Sequence, residues 1–390
     1  MNPTPLEQLL EVAAGKRSLT LGVPASVSDV DRRFPITPEG AAMLVSRGID
    51  VRIERGAGEC IHYPDERFAR SGATMVSRAE AFACDIVLHL PPVALHDVRA
   101  MRRGAMLLTL FHPDSQSVAA LRALLERHVI ALALDLVTDV DGHTPFADIL
   151  DEIDGRAAVA IASSLLADSR HGKGILLGGV AGIVPCEVTV IGAGLAGIAA
   201  ARSATGLGAM VRIFDTDVYR LRRAGRELTG AVVPSSMHPK VLLSALRSAD
   251  VVVATPLTVP HIVGPEAVAE MKLGVVTFDL GEASRRVFPS MRCVDLASAH
   301  PSDNTMEGRR VCYVNAAGAV PRTVAMALSS TLCGMFTDIL NCGATFSNAL
   351  RLHPGMQRAV LTFMGRPVNM RTAATLGMRP IDINVLLQFS

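Results

Sequence analysis

The chain has 390 residues, 49% of them apolar, which is enough for more than one hydrophobic core and too many for a disordered chain. Lys+Arg 38 against Asp+Glu 37 leave a formal charge of +1, and aromatics are 4% with no Trp, so neither a steering field nor stacking platforms for nucleic acid are provided. Seven Cys, odd in number and without a C-x-x-C pair, give neither a disulfide framework nor a zinc knuckle, and no metal site is expected.

The opening MNPTPLEQLLEVAAGKR carries Glu7 and Glu11 where a secretory segment needs an unbroken apolar core, so a cytoplasmic location is expected. From Ser18, apolar β-rich runs alternate with helical patterns almost throughout, the signature of βαβ units and a parallel sheet. Strands are expected at Ser18–Val23, Asp50–Glu54, Asp85–Leu90, Met106–Phe111 and Val129–Leu134. Helices are expected between them at Pro38–Arg47, Asp65–Ser71 and Ser115–Arg127, the first opened by Thr37 as N-cap with Pro38 at the first helical position.

A long helical pattern, Ile153–Asp168, precedes a second strand set: Glu187–Ile191, Met210–Asp215, Asp250–Ala254, Gly274–Leu280 and Arg310–Val314. Ile175–Ala201, with Glu187 as its one charge, is long enough to span a bilayer, but it contains six glycines and Pro185 and changes from β-like to helical. A buried strand, a glycine turn and a helix give the same hydropathy, so no membrane partner is expected. After a further helical pattern from Thr323 to about Leu340, Asn348–Asp382 reads as short helices returning to the first domain. The expected fold class is α/β with two Rossmann-like domains: a discontinuous substrate domain (1–148 plus 322–390) around an inserted dinucleotide-binding domain (149–321), with the active cleft between them.

Val188–Ile191 leads into Gly192-Ala193-Gly194-Leu195-Ala196-Gly197 and then into a helical run. In this context Gly192 allows the tight turn and Gly194 the approach of a pyrophosphate. Gly197 allows close helix–strand packing, and Leu195 and Ala196 open the helix whose N-terminus meets the phosphate. Asp215 follows Gly192 by 23 residues and ends the next strand, where a carboxylate accepts ribose hydroxyls and repels a 2′-phosphate. The cofactor expected is NAD(H). The competing reading of Asp215 is a helix cap or a solvated strand end, and Arg212, Arg220 and Arg222 nearby would soften the discrimination.

With these elements placed, the chain resembles the alanine dehydrogenase family, which also includes the nicotinamide-binding subunit of proton-translocating transhydrogenases. The resemblance covers about residues 20 to 380. It rests on Gly22-Val23-Pro24, Arg33, Ile36-Thr37-Pro38-Glu39-Gly40, Gly56-Ala57-Gly58, Thr109-Leu110-Phe111-His112, Leu177-Gly178-Gly179-Val180-Ala181-Gly182, the glycine turn, Asp279-Leu280, Asn315 and Val320-Pro321-Arg322-Thr323. It implies that Arg33 clamps a substrate carboxylate, that His112 is the acid/base at the reacting carbon, and that Asn315 contacts the nicotinamide side of the cleft. It also implies a homo-oligomer, a dimer or hexamer.

Two departures bear on the substrate. The family's lysine in the motif after the third strand is Pro91 here, in Leu88-His89-Leu90-Pro91-Pro92, and no lysine stands between Lys16 and Lys173. His89 is the only nearby group able to carry positive charge, so it is the candidate second substrate contact. The family's catalytic Asp is Ala283 here; Glu282, one residue earlier, either substitutes for it as a catalytic residue or faces solvent. Asp151-Glu152-Ile153-Asp154 is also more acidic than its counterpart near the cofactor; such acids greet an amine or cap the helix.

The reading is an NAD(H)-dependent oxidoreductase that interconverts an L-amino acid and its 2-oxo acid plus ammonia, with alanine and pyruvate as the default pair by resemblance. The alternatives are reductive condensation of an amino acid's amine with a 2-oxo acid, as in opine- and saccharopine-type enzymes, and a dinucleotide-binding protein without catalysis. A transhydrogenase subunit ranks last, for want of an Arg-Gln-Asp type loop around residues 150–170.

Overall fold

The computed structural model describes residues 19–26, 32–228, 232–297, 311–341 and 346–389. The expected strand starts at Ser18 and Arg310, Lys16 and Cys342 lie outside them. Two sheets carry the fold. The first has the order β15-β14-β6-β5-β4-β1-β2-β3, with β1 Thr20–Val23, β2 Asp50–Glu54, β3 Thr74–Val76, β4 Ile86–Leu88, β5 Met106–Thr109, β6 Ile130–Ala133, β14 Val360–Phe363 and β15 Arg366–Pro367. The second has the order β12-β13-β11-β10-β7-β8-β9, with β7 Glu187–Ile191, β8 Met210–Asp215, β9 Val232–Ser236, β10 Val251–Ala254, β11 Val276–Asp279, β12 Arg292–Asp295 and β13 Val311–Val314.

Every pairing in the second sheet is parallel, and its inner strands are buried on both faces, which is why they read as unbroken apolar runs. The chain folds as α/β with two Rossmann-like sheets, as its sequence leads one to expect. Strand order reverses between β7 and β10 in one sheet and between β1 and β4 in the other; crevices open beyond the strand C-termini at such points. The helices Pro145–Ala167 and Pro321–Asn341 connect the two sheets in sequence. The first helix, Pro38–Ser46, starts as expected, with Thr37 Oγ1 accepting from the Gly40 N–H at 3.2 Å.

Five short strands carry weak sequence signals. β3 and β12 have three and four residues, and β9 contains Pro234, which an edge strand tolerates because one side of its backbone is unpaired. The expectation of only short helices over Asn348–Asp382 is corrected: helices at Phe346–Leu352, Pro354–Gln357 and Met370–Leu376 flank the β14–β15 hairpin. Its two-residue turn, Met364-Gly365, has φ +48° and +74°, the doubly left-handed geometry that matches strand twist. β14 then pairs antiparallel with β6, and Thr362 Oγ1 donates to the Val129 carbonyl at 2.9 Å and accepts from the Ala131 N–H at 3.2 Å across an irregular register.

Ile175–Ala201 is not one helix. It is a loop, β7, the glycine turn and the start of the helix Leu195–Gly206, and among the described residues no helix is long and apolar enough to cross a membrane. The apolar face of Pro321–Asn341 belongs to the core: Val324, Ala325, Leu328 and Leu332 are fully buried.

Candidate active site

The site residues gather beyond the strand C-termini. On the second sheet, Gly192 follows β7 with φ +103°, and a Cβ there would lie 2.2 Å from Thr255 Oγ1, so only glycine fits. A Cβ on Gly197 would lie 1.8 Å from the Gly192 carbonyl oxygen, which is the close helix-to-strand approach expected. Gly194 differs: its missing Cβ would meet only Arg220 Nη1, at 3.5 Å, leaving open space before the first turn of Leu195–Gly206. Leu195 and Ala196 begin that turn, whose N–H groups form an anion-receptive end. Thr255, which the sequence reading did not single out, buttresses the turn: its hydroxyl lies 3.3 Å from the carbonyls of Ile191 and Gly192.

Asp215 ends β8 and is 1% exposed. Its Oδ2 accepts from the Ala193 N–H at 2.6 Å and its Oδ1 from the Asp217 N–H at 2.8 Å, so the carboxylate also pins the glycine turn. The Thr216 hydroxyl adds a third donor, 3.4 Å from Oδ1, and of the carboxylate's about four acceptor positions the one remaining suits a ribose hydroxyl. The donor-rich turn, the open space at Gly194 and this acid together fit a dinucleotide diphosphate and its adenosine ribose.

Asn315 follows β13 in a left-handed conformation, φ +57°, and its Nδ2 lies 3.3 Å from Asp295 Oδ1. A Cβ on Gly318 would come within 2.9 Å of that same Nδ2. The turn is tied to the long helix by Asp154, whose Oδ1 accepts from the Ala317 N–H at 2.5 Å. Asp279, at the end of β11, is 1% exposed and accepts from the N–H groups of Val287, Phe288 and Gly281 at 2.7, 3.0 and 3.3 Å. It shapes the loop that carries Glu282.

On the first sheet, His112 lies just past β5, and its Nε2 is 2.7 Å from the Leu90 carbonyl oxygen. A carbonyl only accepts, so Nε2 carries the proton and Nδ1 is the basic nitrogen of the neutral ring. Thr109 Oγ1 reaches the carbonyls of Leu90 and Pro91 at 3.4 and 3.5 Å. The turn Leu90-Pro91 is thus fastened to β5 through its carbonyls. Arg33 is half-buried in the segment leading to Pro38–Ser46.

Asp135, missed at the sequence level, stands past β6 and accepts from the Phe111 N–H at 2.8 Å. Burial holds its carboxyl above the usual range, Arg33 pulls it down and Glu282 pushes it up, which places a cation and a second acid in its field. Its signal was an acid at a strand C-terminus, Leu134-Asp135-Leu136, the position that singled out Asp215.

Two expectations shift. His89 is 4% exposed, with its ring edge-on to Phe82 at 5.5 Å, within the packing on the sheet face covered by helices Leu95–Ala100 and Val118–Glu126. Glu282 is exposed and pairs with Arg371 at 2.8 Å; Arg371 stacks on the Phe111 ring at 5.4 Å and lies 3.8 Å from Asp114, while the Ser284 N–H donates to Asp114 at 3.3 Å. Glu282 therefore belongs to a charged seam joining the two sheets beside His112. Away from the cleft, Asp139, Asp141 and His143 cluster on one exposed loop, where Asp139 caps the turn by accepting from the Asp141 and His143 N–H groups.

Comparison with known proteins agrees with this architecture. Residues 22–151 match the model of the N-terminal domain of alanine dehydrogenase/PNT, and residues 158–370 that of its C-terminal domain. An alanine dehydrogenase of Mycobacterium tuberculosis is 31% identical over 92% of this chain and 97% of its own, and one of Staphylococcus saprophyticus is 28% identical over 95% and 100%. Among solved structures, an L-alanine dehydrogenase superposes with TM-score 0.80 at 24% identity over 92% of this chain and 99% of its own. A transhydrogenase from Sinorhizobium meliloti gives 0.70 at 20% over 90% and 99%.

Proposed function

The chain belongs to the alanine dehydrogenase/PNT family, whose dehydrogenases are oxidoreductases acting on CH–NH2 groups, and from that premise we propose that it interconverts an L-amino acid and its 2-oxo acid plus ammonia with NAD(H). The observation that carries this is the pairing of two half-sites beyond the parallel strands of two sheets: the glycine turn with Asp215 on one side, His112 with Arg33 on the other.

NAD(H), when bound, exchanges hydride with the substrate carbon. Gly192, Gly194 and Gly197 shape the turn, the first-turn N–H groups at Leu195 and Ala196 face the diphosphate, and Asp215 takes a ribose hydroxyl. Asn315, held by Asp295, borders the nicotinamide side. Arg33 orients the substrate carboxylate through its planar fork. The Leu90 carbonyl fixes the His112 tautomer, so Nδ1 takes the proton when the amino acid is oxidised and returns it in the reverse direction. The seam of Arg371, Glu282 and Asp114 holds the two sides together around the cleft, into which the water that hydrolyses the imine to the 2-oxo acid and ammonia must still be admitted. Glu282 serves this closure.

A second reading is favoured by Pro91 and Ala283 together with Asp135: a pocket that has one cation fewer and a half-buried acid near Arg33 suits a substrate with a second amine. The test is NADH consumption against a panel of 2-oxo acids, with ammonia alone and with lysine, ornithine or alanine added. Turnover with ammonia alone supports the dehydrogenase; turnover only with an added amino acid supports reductive condensation. NADH binding without turnover on any pair overturns both. His112→Ala is expected to lower kcat/KM by about 10²–10⁴-fold while leaving NADH affinity unchanged. Self-association and a cytoplasmic location are part of the same proposal, checked by light scattering and by fractionation.

A further inference from the structure

Asp151 is a half-buried acid for which the proposed reaction has no use, and its position follows from how two helices pack. Leu166, near the end of Pro145–Ala167, accepts from the Ile175 N–H at 2.9 Å, and a Cβ on nearby Gly178 would lie 2.1 Å from the Leu207 carbonyl oxygen, at the end of Leu195–Gly206. The C-termini of the two helices share one end, so the helices run parallel. At their crossing the backbones nearly touch: a Cβ on Gly155 would lie 2.1 Å from the Ala196 carbonyl oxygen and 3.0 Å from the Ala200 nitrogen. Asp151 is one turn before Gly155 on the same face, which sets it against the first turn of Leu195–Gly206.

The charges around it are few. Asp148 and Asp154 lie on its own helix and push its carboxyl up, after burial, the largest cause; Arg220, from the helix Val218–Glu227, pulls it down. The same Arg220 reaches to 3.5 Å from the Cβ position of Gly194, so Asp151 and the glycine turn share one cation. Leu195, Ala196, Gly197 and Ile198 add no titratable side chain, nor does the turn Ala316–Ala319, whose Ala317 N–H is taken by Asp154.

We infer that Asp151 is a further cofactor-site residue that admits the dinucleotide's diphosphate only when its carboxyl is protonated, so that binding takes up one proton. A carboxylate at this position competes with the diphosphate for the helix N-terminus and for Arg220 and repels it at close range; the neutral acid does neither and donates a hydrogen bond. Burial among two acids pushes Asp151 up to about 7, so the switch lies within the neutral range. The inference rests on the dinucleotide reading of the glycine turn.

The test is NADH binding by the full chain, followed by fluorescence and by calorimetry in two buffers of different ionisation heat, from about pH 5.5 to 8.5. For the native protein, affinity is expected to fall about tenfold per pH unit above neutrality, with uptake of about one proton per NADH at the alkaline end. Asp151→Asn is expected to remove that slope and uptake and to bind at pH 8 as tightly as the native protein does at low pH; Asp151→Ser repeats the result without the amide. A slope that persists in both variants, or a native affinity independent of pH, overturns the inference alone. Absence of NADH binding at every pH overturns the dinucleotide reading and the inference with it.

Discussion

Asp215 and Asp279 are each 1% exposed, and each is tolerated because backbone N–H groups surround it: two for Asp215, three for Asp279. Such donors replace the lost water. Asp151 has two acids as neighbours instead, and the consequence for stability has a definite sign. An Asp in an unfolded chain titrates near 4, whereas the folded chain holds this proton up to about 7. Below about pH 4 both states carry the proton and the group is neutral to stability. Between these values folding takes up a proton, so stability falls as pH rises, and above 7 the full cost, on the order of a few kcal/mol, is present. Asp151→Asn is therefore expected to raise Tm clearly at pH 8 and hardly at pH 4, measured by calorimetry; an equal gain at both would contradict the burial argument.

At the scale of elements, the crossing of Pro145–Ala167 on Leu195–Gly206 depends on a residue without a side chain. Gly155→Ala places a methyl group against backbone that cannot rotate away, and is expected to cost about 1–3 kcal/mol, seen as a lower Tm with an unchanged far-UV spectrum. The sequence made much of this level legible. The inner parallel strands, Val188–Ile191 or Val251–Ala254, are apolar runs because both faces are covered, and Thr37 with Pro38 announces its helix chemically. The edges were not legible: β9 carries Pro234, β12 begins with an exposed Arg292, and β14 takes its identity from β6, far away in the chain. The candidate site divides the same way. The glycine turn is local and was readable, as was the position of His112. Asp135 depends on a cation and an acid brought from loops elsewhere in the chain, and the fates of His89 and Glu282 depended on Phe82 and Arg371 as partners.

For the whole molecule, the seam bridges the loops beside the two half-sites. Arg371 comes from the helix Met370–Leu376, far along the chain, yet it faces Phe111 and Asp114 on one side and Glu282 on the other. Its groups are about half exposed, so their worth to stability is small, ~0–1 kcal/mol. Their worth to geometry is larger. Arg371→Ala is expected to leave Tm within a degree or two, to increase the radius of gyration in small-angle scattering, and to raise KM for the substrate, all at low ionic strength. High salt should bring the native protein toward the variant; an unchanged radius would remove the seam from the account of closure.

The hairpin that finishes the first sheet also sets a timetable. Ala131 and Thr362, which bond across β6 and β14, are 231 residues apart, and the whole of the second sheet is encoded between them. At about 5–20 residues per second, a ribosome needs roughly ten to fifty seconds to supply the missing strands. During that interval the second sheet can close on itself while β6 presents a bare, apolar edge, the kind of surface that recruits stray strands. A chain truncated before Val360 should thus keep a folded nucleotide half and become prone to aggregation through the other.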